Sequence, residues 1–251
     1  MTEENAGLGG KVSLVTGGGR GIGRALAVAF AQAGADVCVA ARSASEVQAV
    51  ADEIRAAGGR AVDSVCDVRD YKQAERTVRQ CRDELGALDI LVNNAGGHAE
   101  RRALIETDPA VWEQVIAVNL VGSYNMARAA LPGMVAAGGG KIINVGSGMG
   151  HSAQVHNTAY NSAKAGLWMM TRCLAMEVWE HGIEVNELIP GPVYTQLTAD
   201  RFDPTNQTPP PIAASERVKQ PEDCVALAMF LAAHPPGGPT GQSFSLARRP
   251  L

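Results

Sequence analysis

The feature that most constrains this chain is a repeated order: a short apolar run, a break, then a helical stretch. KVSLVT (11–16) is followed by GIGRALAVAFAQAG, ADVCVAA (35–41) by SEVQAVADEIRAAGG, and RAVDSVCDV (60–68) by YKQAERTVRQCRDELG. LDILVNNAG (88–96) precedes one long helical stretch in which Asp108 reads as the N-cap and Pro109 as the first helical residue. KIINVGS (141–147), a helix over 159–181, IEVNELIPG (183–191), a helix near 221–233 and a strand near 241–246 complete the order. Strand and helix alternating at this spacing predict βαβ units and a parallel sheet. Right-handed crossovers then give an α/β fold, a single Rossmann-like doubly wound sheet with helices on both faces. One domain over 1–251 is expected. Residues 193–223 break the rhythm with five prolines, and a substrate lid around 193–220 is the expected reading.

Composition narrows the function classes. The chain is 46% apolar but only 4% aromatic, which suits Ala- and Val-rich helices packed closely on a buried sheet. A net charge of -4 leaves no basic footprint for nucleic acid. No apolar run reaches 18 residues and the start, MTEENAGLGG, is polar, so neither a membrane span nor a targeting segment is expected. Five scattered cysteines without a C-x-x-C fit a reducing cytoplasm and no metal site.

Two local patterns carry chemistry. TGGGRGIGR (16–24) places Gly17, Gly21 and Gly23 at the turn between the first strand and the first helix. Small residues there let the backbone approach a pyrophosphate at the positive end of the helix. At the end of the second strand, Ala40 and Ala41 offer no carboxylate for a ribose 2′-hydroxyl, and Arg42 follows at once. With Arg20 in the glycine turn, this favours NADP(H) over NAD(H), the latter remaining possible. Tyr160 and Lys164, four apart, share one helix face. A cation beside a phenol favours the phenolate and makes an acid/base group for proton transfer.

In order and register, these and further motifs resemble the short-chain dehydrogenase/reductase family over nearly the whole sequence. They are T-G-x-x-x-G-x-G at 16–23, Asp67 in CDV, N-N-A-G at 93–96, Asn119 in VNL, Ser147 in NVGS, Tyr160 with Lys164, and Pro190, Gly191 and Thr195. Asn119 lies 28 residues before Ser147, and Ser147 lies 13 before Tyr160, which matches the family's separations. The resemblance implies hydride transfer between a nicotinamide and a carbonyl or alcohol carbon. Tyr160 is then the general acid or base, Lys164 tunes it and holds the ribose, Ser147 bonds the substrate oxygen, and Asn119 anchors a water linking Lys164 to solvent. It also implies cofactor contacts from Gly17, Gly19, Arg20, Gly21, Ile22 and Gly23, from Arg42 and Ser43, and from Asp67 and Val68 at the adenine. Asn94, Ala95 and Gly96, then Pro190, Gly191, Val193 and Thr195, complete that set with Tyr160 and Lys164. The C-terminal GQSFSLARRPL departs from the D-G-G turn common in the family.

The expected partner is a small carbonyl or alcohol substrate. A 3-oxoacyl-(acyl carrier protein) reductase is the alternative within the enzyme class, and a catalytically silent NADP-sensing protein the alternative outside it. The intact Ser147, Tyr160 and Lys164 speak against the silent protein. A homo-oligomer, tetramer or dimer, is expected, because AGLWMMTRCLAMEVWE is apolar nearly all round.

Overall fold

A computed structural model describes residues 7–199 and 216–248. Its seven strands form one parallel sheet in the order β3-β2-β1-β4-β5-β6-β7. The strands are β1 (Val12–Thr16), β2 (Asp36–Ala41), β3 (Ala61–Val65), β4 (Ile90–Asn93), β5 (Gly140–Val145), β6 (Ile183–Ile189) and β7 (Ser243–Ser245). The α-helices are α1 (Gly21–Gln32), α2 (Ala44–Ala56), α3 (Tyr71–Leu85), α4 (Pro109–Ile116), α5 (Gly122–Ala137), α6 (Thr158–Val178) and α7 (Val225–Ala233).

Alternating strand residues feed two separate cores. Val15, Val37, Val39, Ile90 and Val92 pack with Leu26 and Phe30 of α1, Val50 and Ile54 of α2 and Leu231 of α7. Leu14, Cys38, Ala40 and Leu91 face the other way, against Cys81 of α3, Met126 and Met134 of α5 and Val178 of α6. The doubly wound expectation therefore holds, with a helix layer on each face. Strand order reverses between β1 and β4, and a crevice opens there at the carboxyl ends of the strands.

Helix starts follow local chemistry. Asp108 accepts from the Ala110 amide at 2.8 Å with Pro109 at the first helical position, as expected. Asp70 caps α3 through the Lys72 and Gln73 amides. Other boundaries need correction. The expected strand over 60–68 ends its ladder at Val65, and that over 88–96 runs only from Ile90 to Asn93, which leaves Asp67, Val68 and Asn94 to Gly96 on loops at the crevice. The long helix after Asp108 is not continuous: a π-helical segment, Ala117–Val121, separates α4 from α5. Asn119 lies within that segment, and its side chain donates back to the Val115 carbonyl of α4 at 2.9 Å. The expected helix over 159–181 ends at Val178, and a 3-10 turn carries it to His181.

The expected lid falls largely outside the described residues, which resume at Glu216. Its two ends are tied together: Val193 and Lys219 form a parallel bridge, with the Tyr194 amide on the Lys219 carbonyl and the Lys219 amide on that of Pro192. No described helix is long and apolar enough to cross a membrane.

Candidate active site

The two motifs flanking the switch point are stitched to each other. Thr16 Oγ1 donates to the Val92 carbonyl and accepts from the Asn94 and Ala95 amides, each at 3.0 Å. Asn94 Nδ2 donates back to the carbonyls of Thr16 (2.9 Å) and Gly17 (3.2 Å). Asn93 points away, to Asn144 Oδ1, and Asn144 reaches Thr171 of α6. The first strand, the fourth strand and the helix bearing Tyr160 are thus held in one hydrogen-bonded frame.

The crevice encloses a cleft of about 890 Å³. Along it lie Gly17, Gly19, Arg20, Gly21 and Ile22, then Arg42 and Ser43, Asp67 and Val68, and Asn94, Ala95 and Gly96. At its other end are Asn119, Ser147, Tyr160 and Lys164, with Pro190, Gly191, Val193 and Thr195. Of the expected site residues, Gly23 is the one that does not line it. A Cβ on Gly23 would stand 2.2 Å from the Gly17 carbonyl oxygen, so this glycine packs behind the turn and brings α1 up to it. Gly17 and Gly21 have φ of +61° and +54°, which a side chain would strain.

Ser147 sits just past β5. Its Oγ accepts from the Met149 amide at 3.2 Å, which leaves its own proton to donate. Lys164 is buried, and its Nζ donates to the Val145 carbonyl at 2.8 Å while lying 5.7 Å from the Tyr160 ring centre. Burial holds the Lys164 ammonium down to about 8, with the nearby Glu187 charge acting the other way. Both ends of the Asn119 amide are engaged by backbone: Nδ2 donates to the Val115 and Gly97 carbonyls and Oδ1 accepts from the Gly97 amide.

At the end of the cleft expected to take adenosine, Asp67 is gripped by Arg69, whose guanidinium holds its carboxyl below the usual range with a smaller pull from Arg42. Arg42 is exposed at the rim. Arg20, expected as a second cation beside Arg42, has partners of its own. It pairs with Glu46 at 3.3 Å and bonds Gln196 Oε1 at 2.7 Å. Glu46 was not anticipated, because a single acid in the first turn of α2 looks like an ordinary surface residue. The cleft is also lined by His98, Arg101, Ser152, Gln154 and Asn157, and Ala247 of the unusual C-terminal stretch adjoins it. None of these carried a motif.

Comparisons with known proteins bear on the fold and the family. The family model for short chain dehydrogenases matches residues 11–206. The 3-oxoacyl-[acyl-carrier-protein] reductase FabG of Vibrio harveyi is 34% identical over 93% of this chain and 94% of its own. Carbonyl reductase family member 4 of Xenopus laevis is 33% identical over 90% of this chain and 92% of its own. A gluconate 5-dehydrogenase of Burkholderia cenocepacia, solved with NADP and tartrate, superposes with a TM-score of 0.89 at 31% identity, covering 97% of this chain and 96% of that one. By the family match and by these identities, the chain belongs to the short-chain dehydrogenase/reductase family.

Proposed function

We propose that the protein is an NADP(H)-dependent oxidoreductase that interconverts a carbonyl and a secondary alcohol on a small polar substrate, with Tyr160 as the proton donor and acceptor. The observation that carries this reading is the convergence of Ser147, Tyr160 and Lys164 at one end of a cleft whose other end is a glycine turn at a helix N-terminus.

The cleft fits a dinucleotide by its own geometry. An imagined Cβ on Gly21 would stand 3.3 Å from Thr195 and one on Gly17 2.8 Å from Asn94, so bare backbone at these two positions meets the cleft between Arg20, Ile22 and Thr195. Gly17, Gly19, Gly21 and Ile22 hold the pyrophosphate, Asp67 and Val68 the adenine, and Asn94 to Gly96 with Pro190 to Thr195 the nicotinamide half. The bound cofactor supplies or takes the hydride. Arg42, with no carboxylate at the end of β2, selects the 2′-phosphate, and Arg20 assists as far as Glu46 allows.

The protein groups manage the proton and the charge. In reduction the Tyr160 hydroxyl gives its proton to the carbonyl oxygen, and in oxidation the phenolate takes it back. Ser147 donates to the same oxygen as its charge grows. Lys164, anchored on Val145, keeps positive charge beside the phenol and turns its remaining protons to the ribose. Asn119 closes the inner wall.

His98, Arg101, Gln154 and Asn157 favour a hydroxylated or carboxylate-bearing substrate over a plain hydrocarbon ketone. The B. cenocepacia relative solved with tartrate supports that class. A 3-oxoacyl thioester is the second reading, favoured by the Vibrio reductase. A silent sensor has no use for the Ser147, Tyr160 and Lys164 set. The segment around 193–220 serves as the lid, pinned at the Val193–Lys219 bridge. Free cysteines throughout the described residues fit work in the cytoplasm. Exposed Val121 and Tyr124 near the start of α5, with Met169, Met176 and, past its end, Trp179 along α6, make an apolar face for a second copy, in a dimer or tetramer. The deciding experiment is a panel of sugar acids, polyols, simple ketones and acetoacetyl thioesters, followed by nicotinamide absorbance with each cofactor. Turnover of polar hydroxy or keto acids with NADP(H) supports the reading, and cofactor binding without turnover across the panel contradicts it.

A further inference from the structure

Behind the site lies a carboxylate that none of these roles uses. Glu187 sits inside β6 with its side chain fully buried between β5 and β7. An acid in such a place is costly to hold unless it is matched by charge and hydrogen bonds. Its Oε2 faces His151 Nε2 at 2.9 Å and accepts from Ser243 Oγ at 2.5 Å. Its Oε1 has no hydrogen-bond partner among the described residues and lies against Gly146, where a Cβ would stand 1.8 Å from it. Gly146 is the residue between Val145, whose carbonyl holds the Lys164 ammonium, and Ser147. The carboxylate therefore touches the short segment that carries both groups.

His151 completes the link. It ends the turn Gly148–Gly150 that follows Ser147, and its amide bonds the Gly148 carbonyl. Its ring packs on Trp168 of α6, centre to centre 4.9 Å. The turn bearing Ser147 is thus clamped to β6 on one side and to the Tyr160 helix on the other. The charged or titratable groups facing Lys164 are few. Tyr160 lies on its own helix, Glu187 comes from β6 and His151 stands behind Glu187, while β5 offers backbone and β7 the neutral Ser243.

We propose that Glu187 is a positioning residue of this active site: through His151 it fixes the Ser147 turn, and against Gly146 it sets its carboxyl behind the segment that holds the Lys164 side chain. The inference rests on the reading of Lys164 given above. Without Glu187, the buried Lys164 loses the one charge that offsets its desolvation, and its proton comes off at lower pH. The chain thereby gains a pH range in which a buried lysine still acts as a cation.

The test is Glu187→Gln, which keeps shape and hydrogen bonding and removes charge. Lysine labelled with 13C at Cε reports the Lys164 titration by NMR, with Lys164→Arg to assign the signal. The midpoint is expected to fall by about one pH unit, the low end of what a close opposite charge confers. The alkaline limb of kcat/KM should move by the same amount, and Glu187→Asp should restore both in part. His151→Gln, which leaves the carboxylate in place, should keep the Lys164 midpoint and lower kcat; if Glu187→Gln does not fold, a midpoint lowered by part of that unit in Glu187→Asp beside an unchanged one in His151→Gln supports the assignment, and an unchanged midpoint in both overturns it. Equal midpoints in wild type and Glu187→Gln overturn it, as does a His151→Gln midpoint displaced equally far. The NMR readout is independent of turnover, so an enzyme inactive on every carbonyl would defeat the oxidoreductase reading without deciding this one.

Discussion

Replacing Gly23 with alanine sets two effects of known size against each other. Gly23 is the third residue of α1, and alanine is favoured over glycine in a helix by about 1 kcal/mol. Yet the added Cβ would stand 2.2 Å from the Gly17 carbonyl oxygen and 2.5 Å from Asn94 Nδ2. That is about 0.8 Å closer than real Cβ atoms approach, and the first obstacle is backbone, which cannot swing aside. Overpacking of this kind costs about 1–3 kcal/mol, so the clash wins over propensity. Relief requires α1 to retreat or the Asn94 bond to Gly17 to break, and both moves loosen the turn proposed to hold the pyrophosphate. The variant should melt a few degrees lower, at about 2–4 °C per kcal/mol for a chain of this size. Calorimetric titration with NADPH should show Kd raised at least about tenfold, or about 1.4 kcal/mol. A Gly23→Ala protein with unchanged NADPH affinity and an equal or higher Tm would refute the reasoning, because propensity would then have won.

Arg42→Asp should reverse the cofactor preference. It removes a charge-assisted hydrogen bond of about 1.5–3 kcal/mol, so the NADP-to-NAD ratio of kcat/KM should drop by more than about tenfold; a wild-type enzyme that already prefers NAD would contradict the role of Arg42. For the pH dependence, Lys164 loses its proton in the folded enzyme as pH rises through about 8, well below its usual 10.5. Carbonyl reduction, measured as kcat/KM, should therefore hold below that pH and fall above it, and a profile flat to pH about 10 would show that Lys164 is not the controlling group. Wild-type protein should scatter light as an oligomer, and Met176→Glu, at a residue 78% exposed, should shift it towards 26.2 kDa. A wild type already at that mass would rule out the apolar face as an interface.

Legibility in the sequence tracked how local each cause is. The strand and helix order could be read because β1, β2, β4 and β5 are short, largely apolar runs followed by a polar or glycine break. The Asp108–Pro109 helix start could be read because cap and helix are neighbours in the chain. Strand ends were overextended where buried residues continue past the ladder, as Cys66 and Val68 do after β3. The π segment at Asn119 was not read, because AVNLV is apolar at four of its five positions and so hides the phase shift that one extra residue in a turn makes. The residues that line the cleft were reached through motif order and the family resemblance, except that Gly23, identical in sequence to glycines that line it, packs behind the turn. What could not be read are pairs made by topology. Glu187 and His151 lie 36 positions apart and meet only because β5 and β6 are in register. Arg20 meets Glu46 and Gln196 only once α2 and the stretch after β6 are in place.

The central claim is that the Tyr160 hydroxyl moves the proton while the rest of the site holds the cofactor. Tyr160→Phe keeps the ring and removes only that oxygen. The direct measurement is kcat on the best substrate of the panel, taken together with NADPH affinity for the same preparation. The account predicts that kcat falls by about 10² to 10⁴-fold, the usual contribution of a general acid, with Kd for NADPH nearly unchanged. A purified Tyr160→Phe enzyme turning over close to the wild-type rate would contradict it.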